Sequence, residues 1–431
     1  MSHRRRALIL IVLVVIGAAA TVMSVRMFRH HAESVPAISA LATTPPLGWN
    51  SWNAFGCNIN ETRIKQTADA MVSSGMRDAG YRYVVIDDCW FDPQRGPSGE
   101  LRANLARFPS GMKAMADYVH ARGLLFGLYE SPGDATCAQN GGSYPGQTGS
   151  RGHEDQDAQT FADWGVDYLK YDWCGLPASV DKLVDSFTTM RDALRATGRP
   201  IFYSINPNSG TVVPPGEYDR FDGVASMTRV SQDLVPAWDA IDAYATSLGV
   251  VDALTNAASP RFSCTPRTGF FCDYDMLTVG SPQVTGINLP PLDAAESRSQ
   301  LALWSEWGSP LLAGNDLARM PDEVRALLIN RDLIAIDQDS LRAPATMLAG
   351  SNGALWTRPL ADGSTAIVIV NRDNAPQPVR AAFSALGLPK KKQFDVLDVF
   401  SGRRSVQHLT FRTSLAPHDA VLLRVRAIDQ P

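Results

Sequence analysis

The chain has 431 residues, 45% of them hydrophobic and 19% charged, with a formal net charge of -4. That length suits one large domain plus a second module, and the apolar fraction can bury an extensive core. The slightly acidic balance implies no basic face and gives no footing for a nucleic-acid partner.

At the start, Arg4-Arg5-Arg6 precede an apolar stretch from Ala7 to Val25. This pattern reads as an export signal or a single membrane anchor over residues 1–25. Gly17-Ala18-Ala19-Ala20 could supply a cleavage site, whereas the uncleaved stretch is long enough to span a bilayer core. Either way the remainder is expected to be extracytoplasmic, touching a membrane only through this segment. Residues 26–42, with His30, His31 and Pro36, read as a linker. Six cysteines, Cys57, Cys89, Cys137, Cys174, Cys264 and Cys272, fit disulfides in an oxidising compartment and leave the pairing open. No CxxC or His/Cys cluster points to zinc, and no metal or other cofactor is expected.

From Thr43 the pattern alternates strand and helix. Gly48–Trp52, Tyr81–Ile86, Leu124–Tyr129, Val166–Asp172, Pro200–Ser204 and Gly223–Met227 read as strands. Glu61–Ser74, Met112–Arg122, Glu154–Trp164, Val180–Ala196, Pro236–Ser247 and Ala294–Gly308 read as helices. The long Gly-rich connection from Glu130 to Gly152 is unusual and marks a functional loop. This alternation predicts a (β/α)8 barrel over residues 43–339. A doubly wound sheet is the alternative, but no GxGxxG follows the first strand. Beyond Asp339, strands at Ala354–Arg358, Thr365–Val370, Val379–Phe383, Phe394–Phe400 and Val421–Val425 alternate with turn residues. Residues 340–431 are therefore expected to form a C-terminal antiparallel β-sandwich.

Acidic residues recur at the predicted strand ends: Asp87 and Asp88, Glu130, and Asp172 with Lys170 beside it. A barrel would bring these to its C-terminal face, where loops build active sites. A strand-end Asp also serves as a plain loop cap. Paired carboxylates suit glycoside hydrolysis, or a divalent cation held by oxygen ligands. Neighbouring Trp49, Trp52, Trp90, Tyr129 and Trp173 favour a sugar, although such rings also pack barrel rims.

The residues carry a specific resemblance. Thr44-Pro45-Pro46-Leu47-Gly48-Trp49-Asn50-Ser51-Trp52, Ile86-Asp87-Asp88-Cys89-Trp90, Gly127-Leu128-Tyr129 with Cys137, and Tyr168-Leu169-Lys170-Tyr171-Asp172 resemble glycoside hydrolase family 27. Those are the α-galactosidases and α-N-acetylgalactosaminidases of the melibiase type, and Asp337-Gln338-Asp339 resembles the end of their barrel. The resemblance implies a retaining glycosidase that releases terminal α-linked galactose from oligosaccharides or polysaccharides. It assigns Asp172 as nucleophile and Asp233, in Arg229-Val230-Ser231-Gln232-Asp233, as acid/base. It also implies that Asp87 and Asp88 accept from sugar hydroxyls and that Lys170 donates to them. Trp49 is expected on the apolar side of the sugar, Tyr129 in the pocket wall, and Asn206 and Arg229 in contact with substrate. The same alignment pairs Cys57 with Cys89 and Cys137 with Cys174, leaving Cys264 and Cys272 to close their own loop.

Three stretches depart from the pattern. They are Tyr203-Ser204-Ile205-Asn206-Pro207, Phe271-Cys272-Asp273-Tyr274-Asp275-Met276-Leu277 and Glu130-Ser131-Pro132. By the resemblance the first would face the substituent at sugar C2, so N-acetylgalactosamine, β-L-arabinopyranose and isomaltose units stay open as alternatives. A non-catalytic carbohydrate-binding barrel is a further alternative, and a metal-dependent hydrolase lacks His ligands near the strand ends. Asn60-Glu61-Thr62 is a glycosylation sequon that matters only in a eukaryotic host.

Overall fold

The computed structural model describes residues 43–428, apart from 176, 210–212, 215, 240–246, 251–263, 282, 285–286 and 391–392. The expected export or anchor segment (1–25) and linker (26–42) lie outside the described residues. No helix among the described residues is long and apolar enough to cross a membrane.

Eight short strands form the first module: β1 (Leu47–Asn50), β2 (Tyr83–Val85), β3 (Leu125–Glu130), β4 (Tyr168–Asp172), β5 (Phe202–Asn206), β6 (Met227–Arg229), β7 (Phe271–Asp273) and β8 (Leu311–Ala313). Consecutive strands from β1 to β7 pair in parallel, and β8 pairs back onto β1. The ring is completed just past β7, where Leu277 donates to the Leu312 carbonyl at 2.8 Å and accepts from Gly314 at 3.2 Å. This is the (β/α)8 barrel. Helices cover it, including α1 (Glu61–Ser73), α2 (Gly111–His120), α3 (Glu154–Trp164), α4 (Val180–Ala196) and α5 (Ala294–Trp307). Their ends follow the local chemistry. The Asn60 side chain accepts from Arg63 N–H to open α1, and Asp293 with Glu296 forms a reciprocal capping box on α5. Gly308 closes α5 in the left-handed conformation that glycine adopts without penalty.

Alternation along each strand decides what faces the barrel axis. Val85, Tyr168, Phe202, Met227, Phe271 and Leu312 cluster inside it, with the Tyr168 and Phe202 rings stacked 5.3 Å apart. Leu169 and Tyr171 fall in the separate outer core shared with the helices. Gly127 makes room for the inner rings, because a Cβ there would lie 2.8 Å from Val85 and 3.2 Å from Tyr168. Tyr168, Lys170 and Asp172 therefore form one inward row that climbs to the C-terminal mouth.

The sequence-predicted strands at 200–204 and 223–227 sit two or more residues early, because the observed strands run on into polar Asn206 and Arg229. Trp52 opens a helical turn, Trp52–Phe55, rather than ending β1. The loop after β3 carries a further turn, Cys137–Asn140, closed by a Thr136 capping box. Of the helix expected at Pro236–Ser247, residues 236–239 form bends and 240–246 lie outside the described residues.

Two more helices, α6 (Asp322–Leu328) and α7 (Arg331–Asp337), lead into the antiparallel module. Its strands are β9 (Thr346–Met347), β10 (Leu355–Pro359), β11 (Thr365–Val370), β12 (Gln377–Ala382), β13 (Phe394–Asp398), β14 (Arg404–Gln407), β15 (Thr410–Leu415) and β16 (Ala420–Ala427). One sheet has the order β9-β10-β11-β16-β13-β14, and β12 pairs with β15. On β11 the alternation divides two cores. Ile367 and Ile369 join Phe383, Phe394 and Leu423 within the module, while Ala366, Val368 and Val370 join the barrel's outer core.

Three ionisable groups are buried where the modules meet: Glu306 on α5, Asp337 at the end of α7 and Arg358 on β10. Arg358 donates to the Ile336 carbonyl. Burial pushes Glu306 up from its ordinary 4.5 to about 8 and Asp337 from 3.8 to about 8, with Arg358 opposing both. Between the unfolded and folded values the native state holds protons that the unfolded chain has released. Stability from these groups is therefore present at low pH and falls as pH rises through that window. Glu306→Gln, which mimics the protonated acid, is expected to blunt this fall. Melting temperatures measured from about pH 5 to about pH 9 check it, with the variant's advantage growing with pH.

Candidate active site

A cavity with an empty volume of about 470 Å³, partly open to solvent, lies at the C-terminal mouth of the barrel. Seven of the nine residues expected to contact substrate line it: Asp87, Asp88, Tyr129, Lys170, Asp172, Arg229 and Asp233. Lys170 is the electrostatic centre. Its ammonium donates to Asp87 Oδ2 at 2.8 Å and lies 3.5 Å from Asp172 Oδ2. It also sits 5.2 Å from the centre of the Tyr129 ring. Burial disfavours a charged lysine, but Asp172 and Asp87 outweigh it and hold Lys170 protonated.

Asp87 is fixed from three sides. Its Oδ2 also accepts from Asn50 Nδ2 at 2.7 Å, and its Oδ1 accepts from Asp88 N–H at 2.9 Å. Asp88 braces the neighbouring loop: it accepts from Cys89 N–H, the Thr136 hydroxyl and Ala138 N–H at 2.7, 2.9 and 2.8 Å. Burial pushes Asp88 up to about 6, with the Ala138 hydrogen bond opposing and Asp87 adding to the rise. Asp172 is pushed up to about 7 by burial first, with Lys170 the largest opposing influence. Its Oδ1 is buried and has no hydrogen-bond partner among the described residues.

Across the cavity, Arg229 is buried and donates to Asp275 Oδ2 at 2.6 Å and to Asp233 Oδ1 at 2.8 Å. Asp275 Oδ2 also accepts from Leu234 N–H at 2.7 Å, so one carboxylate ties together β6, the turn after β7 and the segment bearing Asp233. The Asp233 side chain is 64% exposed against 5% for Asp275. The disulfide pairs are Cys57–Cys89, Cys137–Cys174 and Cys264–Cys272, and Cys137 forms part of the cavity wall.

Three expected placements are corrected. Trp49 is fully buried, with its indole N–H donating to the Asn315 carbonyl at 2.7 Å. Gly48 and Asn50 take the inward positions of β1, which turns Trp49 toward the helices, and Trp52 occupies the cavity wall instead. Asn206 lies outside the lining; its side chain donates to Ser209 Oγ and accepts from Asn208 N–H, and Ser209 reaches the cavity. Glu130 follows inward-facing Tyr129 and so points outward, fully buried near the Arg95–Asp157 ion pair. Burial holds its carboxyl well above the ordinary range. Sequence reading named Trp52 only among the rings favouring a sugar, and it gave no site role to Asn53, Ser209, Leu234, Asp275 or Met276, which also line the cavity. Period-two alternation from Asn50 was the available signal against Trp49.

A barrel mouth with buried carboxylates, one shared ammonium and flanking rings fits a glycosidase. The family described as Alpha galactosidase A (Melibiase_2) matches residues 44–339, and its Alpha galactosidase C-terminal beta sandwich domain matches 350–425. The chain belongs to this melibiase family. It is 37% identical to Alpha-galactosidase A of Cellvibrio japonicus (strain Ueda107), covering 89% of this chain and 92% of the relative. It is 36% identical to Alpha-N-acetylgalactosaminidase of Gallus gallus, over 85% of this chain and 88% of that one. The crystal structure of α-galactosidase I from Mortierella vinacea superposes with a TM-score of 0.78 at 29% identity, covering 90% and 98% of the two chains.

The two partners of Arg229 should differ in what they stabilise. Asp275→Ala leaves a buried guanidinium half-paired and is expected to cost about 3–5 kcal/mol. Asp233→Ala removes a largely exposed carboxylate and is expected to cost less than about 1 kcal/mol. Denaturant midpoints of the two variants check the contrast.

Proposed function

We propose that the protein is a retaining α-galactosidase that releases terminal α-linked galactose by double displacement. The observation that carries the reading is Asp172 Oδ1: buried, without a partner among the described residues, and inside a cavity whose other carboxylates are engaged. In the first step that oxygen attacks the anomeric carbon while Asp233 gives its proton to the departing glycosidic oxygen. The C–O bond to the leaving group breaks as the Asp172–sugar ester forms. Asp233, now a carboxylate, then takes a proton from water, which displaces Asp172 and restores both groups. Retaining enzymes hold such a pair about 5–5.5 Å apart. Lys170 opposes protonation of Asp172 and, with Asp87 and Asp88, offers donors and acceptors to sugar hydroxyls. Trp52 takes the ring-packing role on the apolar sugar face.

The galactose assignment draws on the Cellvibrio relative's name and on the retained Asp87-Asp88 pair. The Gallus gallus relative makes N-acetylgalactosamine the second reading, since the pattern departs at Tyr203–Pro207, just before Ser209 in the cavity wall. A panel of chromogenic α-galactoside, α-N-acetylgalactosaminide, β-L-arabinopyranoside and α-glucoside substrates separates them. Residues 1–25 are proposed as the export signal or anchor of an extracytoplasmic enzyme, in keeping with three disulfides. Residues 43–339 and 340–431 are proposed as its catalytic and C-terminal domains.

Asp172→Asn is expected to abolish hydrolysis of nitrophenyl α-galactoside, and azide is expected to restore part of it in Asp172→Gly. Full activity in Asp172→Asn would remove the nucleophile assignment. Lys170→Met withdraws the main influence holding Asp172 ionised. The acidic limb of its kcat/KM profile should therefore move to higher pH, which a pH–rate series would read.

A further inference from the structure

The segment that carries Asp233 reaches the C-terminal module through a ring contact. Asp233 and Leu234 pair with residues 247–248, and the chain then passes through buried Val235 and Pro236 to Trp238. The backbone of 238–239 presses on Gly249, where an added Cβ would lie 2.4 Å from the Trp238 carbonyl oxygen. Trp238 is itself buried, at 5% exposure. Its indole stacks on the imidazole of His418, with ring centres 4.5 Å apart and planes within 7°.

His418 is a firmly held platform for that ring. Its Nδ1 lies 3.0 Å from Glu296 Oε1 on α5, and its Nε2 lies 2.6 Å from Asn374 Oδ1. Its carbonyl accepts from Ser299 Oγ, and the adjacent Asp419 makes two hydrogen bonds with Arg298 at 2.9 and 2.8 Å. His418 also occupies the left-handed region, with φ at 59°, a conformation uncommon for a histidine. A turn between two C-terminal strands is thus bolted to α5 and presents one ring to the Asp233 segment.

Asp233 needs such a brace. Its carboxylate is largely exposed, and its side chain has one described partner, Arg229. The other anchors of the segment, Leu234 N–H on Asp275 and the pairing with 247–248, fix the backbone on the barrel side. Proton transfer requires the donor oxygen within hydrogen-bond reach of the leaving oxygen, so a small displacement of the segment weakens it.

We propose that His418 of the C-terminal module is a positioning residue for Asp233, acting through the stacked Trp238. This rests on the reading of Asp233 as the general acid/base. The C-terminal module would then contribute to catalysis without touching substrate.

The test compares two substrates by kcat/KM, which reports only steps through the first irreversible bond cleavage. Nitrophenol departs with little help from an acid, whereas the alcohol of an α-galactosyl oligosaccharide needs its proton. His418→Asn, chosen because Asn tolerates positive φ, is expected to lower kcat/KM about tenfold on the oligosaccharide. That is a fraction of the roughly 10²–10⁴-fold a general acid contributes. On nitrophenyl α-galactoside the fall should stay within about twofold. Trp238→Phe keeps a ring on His418 and should retain most oligosaccharide activity, while Trp238→Ala should show the same split as His418→Asn. An equal fall on both substrates, or an unchanged oligosaccharide rate, would overturn the proposal, whatever the melting temperature does. Asp233→Ala run alongside reads the underlying assignment separately. It should show a larger version of the split, and its absence there would overturn the role of Asp233 and the proposal with it.

Discussion

Lys170 places one buried ammonium 2.8 Å from Asp87 and 3.5 Å from Asp172, and the charge balance of the barrel mouth depends on it. Isolated carboxylates taken out of water at this depth would neutralise themselves by binding protons. Two cations, Lys170 and Arg229, face five cavity carboxylates: Asp87, Asp88, Asp172, Asp233 and Asp275. Burial, with neighbouring Asp87 adding to it, raises Asp88 and Asp172 above their ordinary values. The excess of acceptors also defines the ligand. A phosphate or carboxylate would meet repulsion there, whereas a neutral molecule rich in O–H donors would satisfy the spare lone pairs.

The same residue explains why the pocket lies where it does. Lys170 could not sit lower on β4, because the axis there is filled by Tyr168, Phe202 and their neighbours. One inward position higher it reaches the mouth, and the next inward position is Asp172. The apolar plug and the charged site are thus successive layers of one alternating row, with rigid strands fixing the donors in advance of any ligand.

That row was legible once the family resemblance was added, because a strand-end Asp taken alone reads equally as a loop cap. The motif neighbours Asp87, Asp88 and Tyr129 were legible by the same resemblance. The errors share a physical origin. Aromatic content named Trp49 and Trp52 alike and the family resemblance was read onto Trp49, but orientation is set by strand phase, and Gly48 and Asn50 already hold the inward places. Glu130 failed by the same one-residue shift from Tyr129. The strands ending at Asn206 and Arg229 read short because polar residues normally signal a loop, yet polar strand ends are what a barrel active site is made from. The stacking of Trp238 on His418, residues 180 positions apart in sequence, has no local signature at all.

Under the proposed mechanism two chemically identical side chains must do different work, and their surroundings differ accordingly. The Asp172 side chain is 8% exposed on a rigid strand, whereas that of Asp233 is 64% exposed on a segment held at its margins. A nucleophile gains from a fixed, desolvated line of attack. An acid/base must serve a leaving group in one step and a water in the next, so it belongs at the solvent edge. Exposure makes Asp233 available to both, and it also removes the packing that fixes Asp172. Precision at that carboxylate must then come from the segment beneath it: from Arg229 and Asp275 on the barrel side, and from the Trp238 contact on the other. A C-terminal sheet docked against α5 is well placed to supply the second, since it is anchored there by Ser299 and Arg298 and contributes no described residue to the cavity lining.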